Sequence, residues 1–252
     1  METDIQSDED KLKHLQLELA SLRKKLGKPQ RVPLSLSQSQ HNDVLAGTRK
    51  DGTLYSVRNN RDRFFYPNEW MKFYDVGLKD SQKMTFDFLI NTGARINEAI
   101  NVKVEDVDIQ NKRIILRVTK VKAAKKEKAP RPRPISISTQ FARRLNKHIK
   151  DNKLQESDKL GLLTASAANT AMKNALQVAG IKDWYMFSLH NLRKTHGNWL
   201  KSLGIEIGEI CSRLGHDMNT FLKAYVSSDI FTYKDKQEMR LVLGDLYQNR
   251  GS

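Results

Sequence analysis

The segment SLHNLRKTHG, residues 188–197, combines histidines and cationic side chains with Leu189 and Leu192 at helical spacing. His190 and Arg193 are three residues apart, so a helix directs both side chains to the same side. An arginine fork matches two phosphate oxygens, and an imidazole donates a hydrogen bond or transfers a proton. The segment therefore fits either a basic, solvated helix or one part of a phosphate site.

The composition favours a polyanionic partner. The chain has 252 residues, and 44 Lys and Arg against 29 Asp and Glu give it a formal charge of +15. Nucleic acid is the leading partner, and an anionic membrane surface is the competitor. The N-terminus METDIQSDED is acidic, and we find neither a signal peptide nor an apolar run that spans a bilayer, so we expect a soluble, cytoplasmic protein. The single cysteine, Cys211, excludes an internal disulfide framework and a cysteine-rich metal site.

The chain divides into three parts. Residues 8–27 predict a short coiled-coil helix, since leucines recur in steps of three and four, although docking of this helix on its own domain is an alternative. Residues 28–63 are predicted to be a polar, basic linker with a local hairpin around Asp51 and Gly52. Residues 64–252 are expected to form the main domain.

The main domain is predicted to be mainly α with a small antiparallel β-sheet, an α+β fold. Pro67 opens a first helix, and a second, largely buried helix ends before Thr92 and Gly93. Two strands, 113–119 and 133–138, flank a lysine-rich run. The remaining helices are predicted at 139–151, 167–179, 190–203, 205–213, 219–226 and 233–247.

Other stretches carry groups suited to phosphate chemistry. Arg95 follows a Thr-Gly turn, with Glu98 placed to hold it or to cap the next helix. The lysine-rich run has ten cationic residues from Lys112 to Arg133 and one acidic residue, which suits contact with a polyanion. Gly215 supplies a left-handed helix cap before His216, and Tyr225 follows nine residues later. A phenol is a weak nucleophile unless a base or a cationic field assists it.

Considered together, these motifs resemble the tyrosine recombinase family, which includes phage-type integrases and Xer-like recombinases. The matching residues are Arg95 in T-G-x-R-x-x-E, Lys120 after the first strand, H-x-x-R at 190 and 193, L-G-H ending at His216, and Tyr225. The resemblance covers about residues 64–250 and implies the tyrosine recombinase catalytic-domain fold.

The resemblance also implies a role for each residue. Tyr225 attacks a DNA phosphodiester, leaving a 3′-phosphotyrosyl bond and a free 5′-hydroxyl, while Arg95 and Arg193 bind the nonbridging oxygens. Lys120 protonates the departing oxygen, with Lys122 as the alternative acid. His190 assists proton transfer and His216 hydrogen-bonds the phosphate. Contacts with the DNA backbone are expected from further cations of the lysine-rich run and from one lysine of the 190–203 helix. These residues are Lys122, Lys125, Lys126, Lys128, Arg131, Arg133 and Lys194. His196, like Lys194, is expected at the surface.

The implied function is site-specific recombination or integration on double-stranded DNA, by a virus or other mobile element, without metal or other cofactor. The implied assembly is a tetramer on two duplexes, with a dimer through the N-terminal helix as a further option. A tail over 229–247 packs on a neighbouring protomer or, alternatively, on its own domain. Residues 1–63 offer too little apolar material for the usual clamp-forming domain. The alternatives are a type IB topoisomerase-like enzyme and a non-catalytic DNA-binding accessory factor, and Tyr185 and Tyr233 are the other candidate hydroxyls.

Overall fold

The computed structural model describes residues 63–117, 132–181, 184–219, 221 and 231–246, together with the backbone of 45–48 and 54–57. Three predicted features lie outside the described residues: the coiled-coil helix at 8–27, the tip of the lysine-rich run, and the helix at 219–226 except for residues 219 and 221.

The described elements confirm the predicted α+β class. The helices are α1 (Pro67–Tyr74), α2 (Asp80–Thr92), α3 (Ile96–Ala99), α4 (Thr139–Asp151), α5 (Ala165–Val178), α6 (Leu189–Ser202), α7 (Ile207–Leu214) and α8 (Tyr233–Leu243), with 3-10 turns at Val104–Asp106 and Trp184–Met186. The strands are β1 (Leu45–Thr48), β2 (Leu54–Val57), β3 (Val107–Asp108), β4 (Arg113–Leu116) and β5 (Arg133–Ser136).

Two small antiparallel sheets are present in the described residues. Strands β1 and β2 pair with Leu45 opposite Val57 and Thr48 opposite Leu54, which confirms the hairpin predicted around residues 51 and 52. The second sheet has the order β3-β4-β5, with Leu116 opposite Arg133 at the base of the lysine-rich run. The sequence had predicted only the last two of these strands.

Helices α2 and α6 form the centre of the domain. Residues 84–92 of α2 and 191–200 of α6 are all buried, so neither helix has a solvated face over these stretches. The aromatic segment Phe64–Tyr66 packs on α6, where the Phe65 N–H donates to Thr195 Oγ1 (2.9 Å) and Trp199 Nε1 donates to the Phe65 carbonyl (3.0 Å). Buried polar groups in a core need such partners, and these bonds provide them.

The last helix packs on its own domain. Met239 and Leu243 of α8 are buried, and Ser202 Oγ at the end of α6 contacts Met239 Sδ at 3.1 Å. After α8, the Asp245 carboxylate accepts a hydrogen bond from the Thr139 backbone N–H (2.6 Å) and caps α4. Residues 233–246 therefore pack against their own domain, as in the second of the two alternatives.

Local sequence signals explain where the helices begin and end. Ser138 and Thr164 accept hydrogen bonds from backbone N–H groups in the first turns of α4 and α5, as helix-capping hydroxyls do. Glycines in the left-handed conformation, Gly93 (φ +65°) and Gly215 (φ +61°), end α2 and α7. Within the described residues, no helix combines the length and the apolar character that a membrane crossing needs.

Candidate active site

Arg95 stands at the turn between α2 and α3. Its backbone N–H donates to Glu98 Oε2 (3.0 Å) and its Nη1 donates to Glu98 Oε1 (2.8 Å), so Glu98 both caps α3 and holds the guanidinium. The sequence left these two roles open, and the structure has both. The Arg95 side chain keeps 42% of its surface exposed, which leaves its guanidinium accessible to an anionic ligand.

Glu98 also joins Arg95 to the small sheet. Arg133 Nη2 at the start of β5 donates to Glu98 Oε2 (3.0 Å), and the carboxylate side chain is only 1% exposed. Burial alone raises the pKa of Glu98. The hydrogen bond from the Arg95 backbone and the charges of Arg133 and Arg95 outweigh that effect and hold the pKa below its usual range. A buried carboxylate therefore stays ionised between two arginines.

Arg133 was expected on the open hairpin as a DNA-backbone contact. Its side chain is instead 15% exposed and turns towards the Arg95 turn through Glu98. It also fills the space beside Gly215, where an added Cβ would overlap its Nη1. The position is explained by strand alternation, since Arg133 shares its side of β5 with the buried Ile135.

Arg193 lies beneath the site. It is 1% exposed, and its Nη1 donates to the Gly93 carbonyl (2.7 Å) while its Nη2 donates to the Leu214 carbonyl. Gly93 leads into Arg95 and Leu214 leads into His216, so Arg193 links the two turns that present these residues. An arginine serves this purpose because its planar fork reaches two acceptors at once.

His190 and His216 are held as neutral imidazoles. Desolvation lowers the pKa of His190 to about 4, although the residue keeps an exposed edge, and the charges of Lys194, Arg193 and Arg95 act in the same direction. Desolvation likewise lowers the pKa of His216 to about 4, assisted by the charges of Arg193, Arg95, His190 and Arg133. At neutral pH both rings are therefore uncharged.

The bonds from Arg193 to Gly93 and Leu214, together with these electrostatic effects, show that the predicted groups lie close together. Arg95 and Arg193 act on both imidazoles, and His190 and Arg133 act on His216. The four predicted site residues within the described ranges, Arg95, His190, Arg193 and His216, thus gather in one region, although they are separated by up to 121 positions of chain. Several other candidates lie outside the described residues: Lys120, Lys122, Lys125, Lys126, Lys128, Arg131 and Tyr225.

The expected surface positions of Lys194 and His196 are wrong. Lys194 is 8% exposed and His196 is 0% exposed. The reason is that α6 runs through the centre of the domain and is buried on every side from residue 191 to 200. A helix in that position has no solvated face for a cation or an imidazole to occupy.

Arg213 was not predicted as a site residue from the sequence. This residue is 7% exposed, and its guanidinium donates to the Ser136 carbonyl (2.7 Å), the Asn91 carbonyl (2.8 Å) and His196 Nε2 (2.8 Å). The burial of its partner His196 was indicated in the sequence, because His196 continues the apolar stripe of Leu189, Leu192 and Trp199.

Among the described residues, no grouping of three or more His, Cys, Asp or Glu side chains is arranged to hold a metal ion.

Comparisons with known proteins agree with this architecture. The sequence model of the Phage integrase family matches residues 65–230. An integrase of Salmonella phage P22 is 25% identical over 181 residues, which cover 67% of this chain and 44% of that integrase. The chain therefore spans less than half the length of that relative.

Solved structures share the fold. The XerA recombinase crystal structure superposes with a TM-score of 0.54 at 18% identity, over 75% of this chain and 66% of that one. The Tn1549 transposon integrase, solved in complex with transposon right end DNA, gives a TM-score of 0.53 at 16% identity, over 72% of this chain and 66% of that one. These similarities confirm the fold that the motifs had implied.

Proposed function

Because the chain belongs to the phage integrase family, whose members include the tyrosine recombinases, we propose that it is a site-specific DNA recombinase that cleaves and rejoins DNA through Tyr225. The observation that carries the proposal is the convergence of Arg95, Arg193, His190 and His216. A region with two arginines and two neutral imidazoles suits one phosphate that exchanges protons as it reacts.

Double-stranded DNA is the proposed substrate. The formal charge of +15 supplies a long-range attraction for a polyanion, and the P22 relative is an integrase. The Tn1549 integrase was solved with DNA, which is consistent with a shared use of this fold. We assign Lys122, Lys125, Lys126, Lys128 and Arg131 of the lysine-rich run to the DNA backbone near the site. The element that the protein serves would be a virus or another mobile element. The active assembly would be a tetramer on two duplexes.

The proposed reaction exchanges one phosphoester for another. The Tyr225 oxygen bonds to phosphorus as the bond to the 5′-oxygen breaks, so the product is a 3′-phosphotyrosyl linkage. His190 accepts the phenolic proton, for which its neutral state is suited. Lys120 gives a proton to the departing 5′-oxygen, with Lys122 as the alternative donor. The reverse reaction uses the same groups and rejoins the strand without an external energy source.

The arginines and His216 would stabilise the negative charge on the reacting phosphate. The exposed guanidinium of Arg95 meets the nonbridging oxygens directly, and Arg193 supplies a second positive charge from below. His216 donates a hydrogen bond to the same phosphate. Preorganised donors of this kind act on charge that develops in the transition state, and loss of one such donor costs about 100- to 1,000-fold in rate.

A nicked suicide duplex tests the proposal. Cleavage next to the nick releases a short oligonucleotide, so rejoining is prevented and a covalent protein–DNA adduct accumulates on a denaturing gel. We expect the wild-type chain to form the adduct and Tyr225→Phe to form none. Absence of a wild-type adduct would favour the accessory-factor alternative. Relaxation of supercoiled plasmid without strand exchange would favour the topoisomerase-like alternative.

A further inference from the structure

Two buried residues next to the site, Arg213 on α7 and His196 on α6, take no part in the proposed chemistry. Arg213 Nε donates to His196 Nε2 at 2.8 Å. His196 Nδ1 lies 2.7 Å from the Ile90 carbonyl, which only accepts hydrogen bonds. Nδ1 must therefore carry the ring proton, and Nε2 is the acceptor for Arg213.

The ring of His196 is neutral in this arrangement. Burial lowers its pKa well below the usual value, and the adjacent charge of Arg213 acts in the same direction, while the hydrogen bond to Ile90 opposes them. A single tautomer thus connects α2 to α7 through one imidazole. The hydrogen-bond pattern allows no second orientation of the ring that keeps both bonds.

The contacts of this pair reach the described segments that present Arg95, Arg133 and His216. Arg213 binds the carbonyl of Asn91, in the last turn of α2 before Arg95, and the carbonyl of Ser136, at the end of the strand that carries Arg133. Arg213 itself stands three residues before His216.

The ring of His196 adds a direct contact with the Arg95 turn. A Cβ placed on Gly93 would lie 2.5 Å from His196 Cδ2, so the bare glycine backbone packs against the imidazole. His196 also stands one helical turn after Arg193 on α6. The pair consequently connects α2, β5, α6 and α7 at the level of the candidate site.

We propose that Arg213 and His196 form a positioning pair that fixes the segments bearing Arg95, Arg133, Arg193 and His216 relative to one another. The proposal rests on the proposed function for its catalytic consequence. The hydrogen bonds described above join Arg213 and His196 to backbone carbonyls and to each other, so we assign the pair a positioning role and no role in the reaction itself. Displacement of a catalytic group by about 1 Å costs on the order of 100-fold in rate, so loss of the pair is expected to act on the chemical step.

The test is a double-mutant cycle with Arg213→Lys and His196→Asn. Lysine keeps the positive charge but has one nitrogen for three acceptors, and asparagine retains a donor for Ile90 but offers Arg213 no ring nitrogen. Single-turnover adduct formation on saturating suicide duplex is expected to slow by at least about tenfold in each variant. The DNA dissociation constant is expected to stay within about threefold of wild type, since backbone contacts are elsewhere.

The double variant decides whether the residues act as a unit. A pair predicts a double variant no slower than the slower single variant, within about threefold. Independent, multiplying effects on the rate would overturn the pair, and so would wild-type rates in both single variants.

Arg144→Lys is the matched control. Arg144 on α4 also forms an ion pair with α2, since its Nε lies 3.1 Å from Asp87 Oδ2. This contact lies in the middle of α2, away from the turn that presents Arg95. We expect this variant to be less stable than wild type and to keep the wild-type adduct rate. A slowing equal to that of Arg213→Lys would assign the effect to general destabilisation and overturn the positioning role.

A readout without catalysis separates this inference from the proposed function. Imidazole NMR titration is expected to give pKa values of about 4 for His190 and His216 in the wild type. In Arg213→Lys both values are expected to lie closer to the ordinary pKa, because a loosened site lets water reach the rings and moves the nearby guanidinium groups. If the wild type forms no adduct, the proposed function fails, while the titration still tests the pair. Unchanged titration of both histidines in Arg213→Lys and in His196→Asn would overturn it.

Discussion

Replacement of Gly93 by alanine tests how tightly the Arg95 turn is packed. Gly93 has φ +65°, a left-handed conformation that costs an L-residue about 1–2 kcal/mol. Its added Cβ would lie 2.5 Å from His196 Cδ2 and 2.7 Å from Leu214 Cδ2. Both neighbours are 0% exposed, so neither side chain moves aside into solvent. Forcing an extra methyl group into such a site costs about 1–3 kcal/mol.

Gly180→Ala is the matched control for this substitution. Gly180 follows α5 with φ +69°, and nothing lies within 4 Å of the Cβ that alanine would add. Both variants therefore incur the conformational cost, and both gain equally from the stiffer unfolded chain. Only Gly93→Ala incurs the packing cost, so we expect it to be less stable than Gly180→Ala by about 1–3 kcal/mol.

Urea denaturation followed by far-UV circular dichroism measures this difference. The midpoint is expected to fall further for Gly93→Ala, with little change in the denaturant slope of either variant. Equal free energies of unfolding, within about 0.5 kcal/mol, would refute the close contact between the turn, α6 and α7. The same result would remove the structural basis for a rigid site.

The other predictions concern charge and capping. Lowering the pH from about 6.5 to about 4 should reduce the free energy of unfolding by at most about 1.4 kcal/mol per pH unit for each of His190 and His216. The reason is that the unfolded chain binds protons at these histidines at a higher pH than the folded chain does. Thermal melts whose midpoint does not change over this pH range would contradict the lowered pKa values. Arg193→Lys should slow adduct formation by about 100-fold or more, because lysine cannot span the Gly93 and Leu214 carbonyls and hold the two turns in place. Single-turnover rates near wild type would exclude that role. Asp245→Asn should lower stability by about 1 kcal/mol by weakening the cap at Thr139, and an unchanged urea midpoint would count against this contact.

Local signals made much of the fold predictable. Helix α4 was predicted at residues 139–151 and has those bounds, since Ser138 supplies the cap and Phe141 and Leu145 supply the buried spacing. Gly93 and Gly215 marked the ends of α2 and α7 because few other residues adopt a left-handed cap at low cost. Such features depend on residues close together in the chain, so the sequence contains them in readable form.

Tertiary features were harder to predict. Lys194 was expected at the surface because helical spacing alone does not reveal that other segments surround α6 on all sides. The pairing of Arg213 with His196 joins residues 17 positions apart on separate helices, and nothing in either local pattern specifies it. The burial of His196 and Arg133 was indicated in the sequence, since each follows the same periodicity as buried apolar neighbours. A polar side chain at such a position is either buried or exposed, and the sequence does not decide between the two until its partner is known.

The central claim is that the converging groups serve one phosphate attacked by Tyr225. Trapping the adduct on a suicide duplex, digesting it with protease and mapping the nucleotide-bearing peptide by mass spectrometry tests this most directly. We predict a single linkage, between Tyr225 and a DNA 3′-phosphate, with a free 5′-hydroxyl on the released strand. A linkage at Tyr185 or Tyr233, or a 5′-phosphotyrosyl bond, would contradict the account.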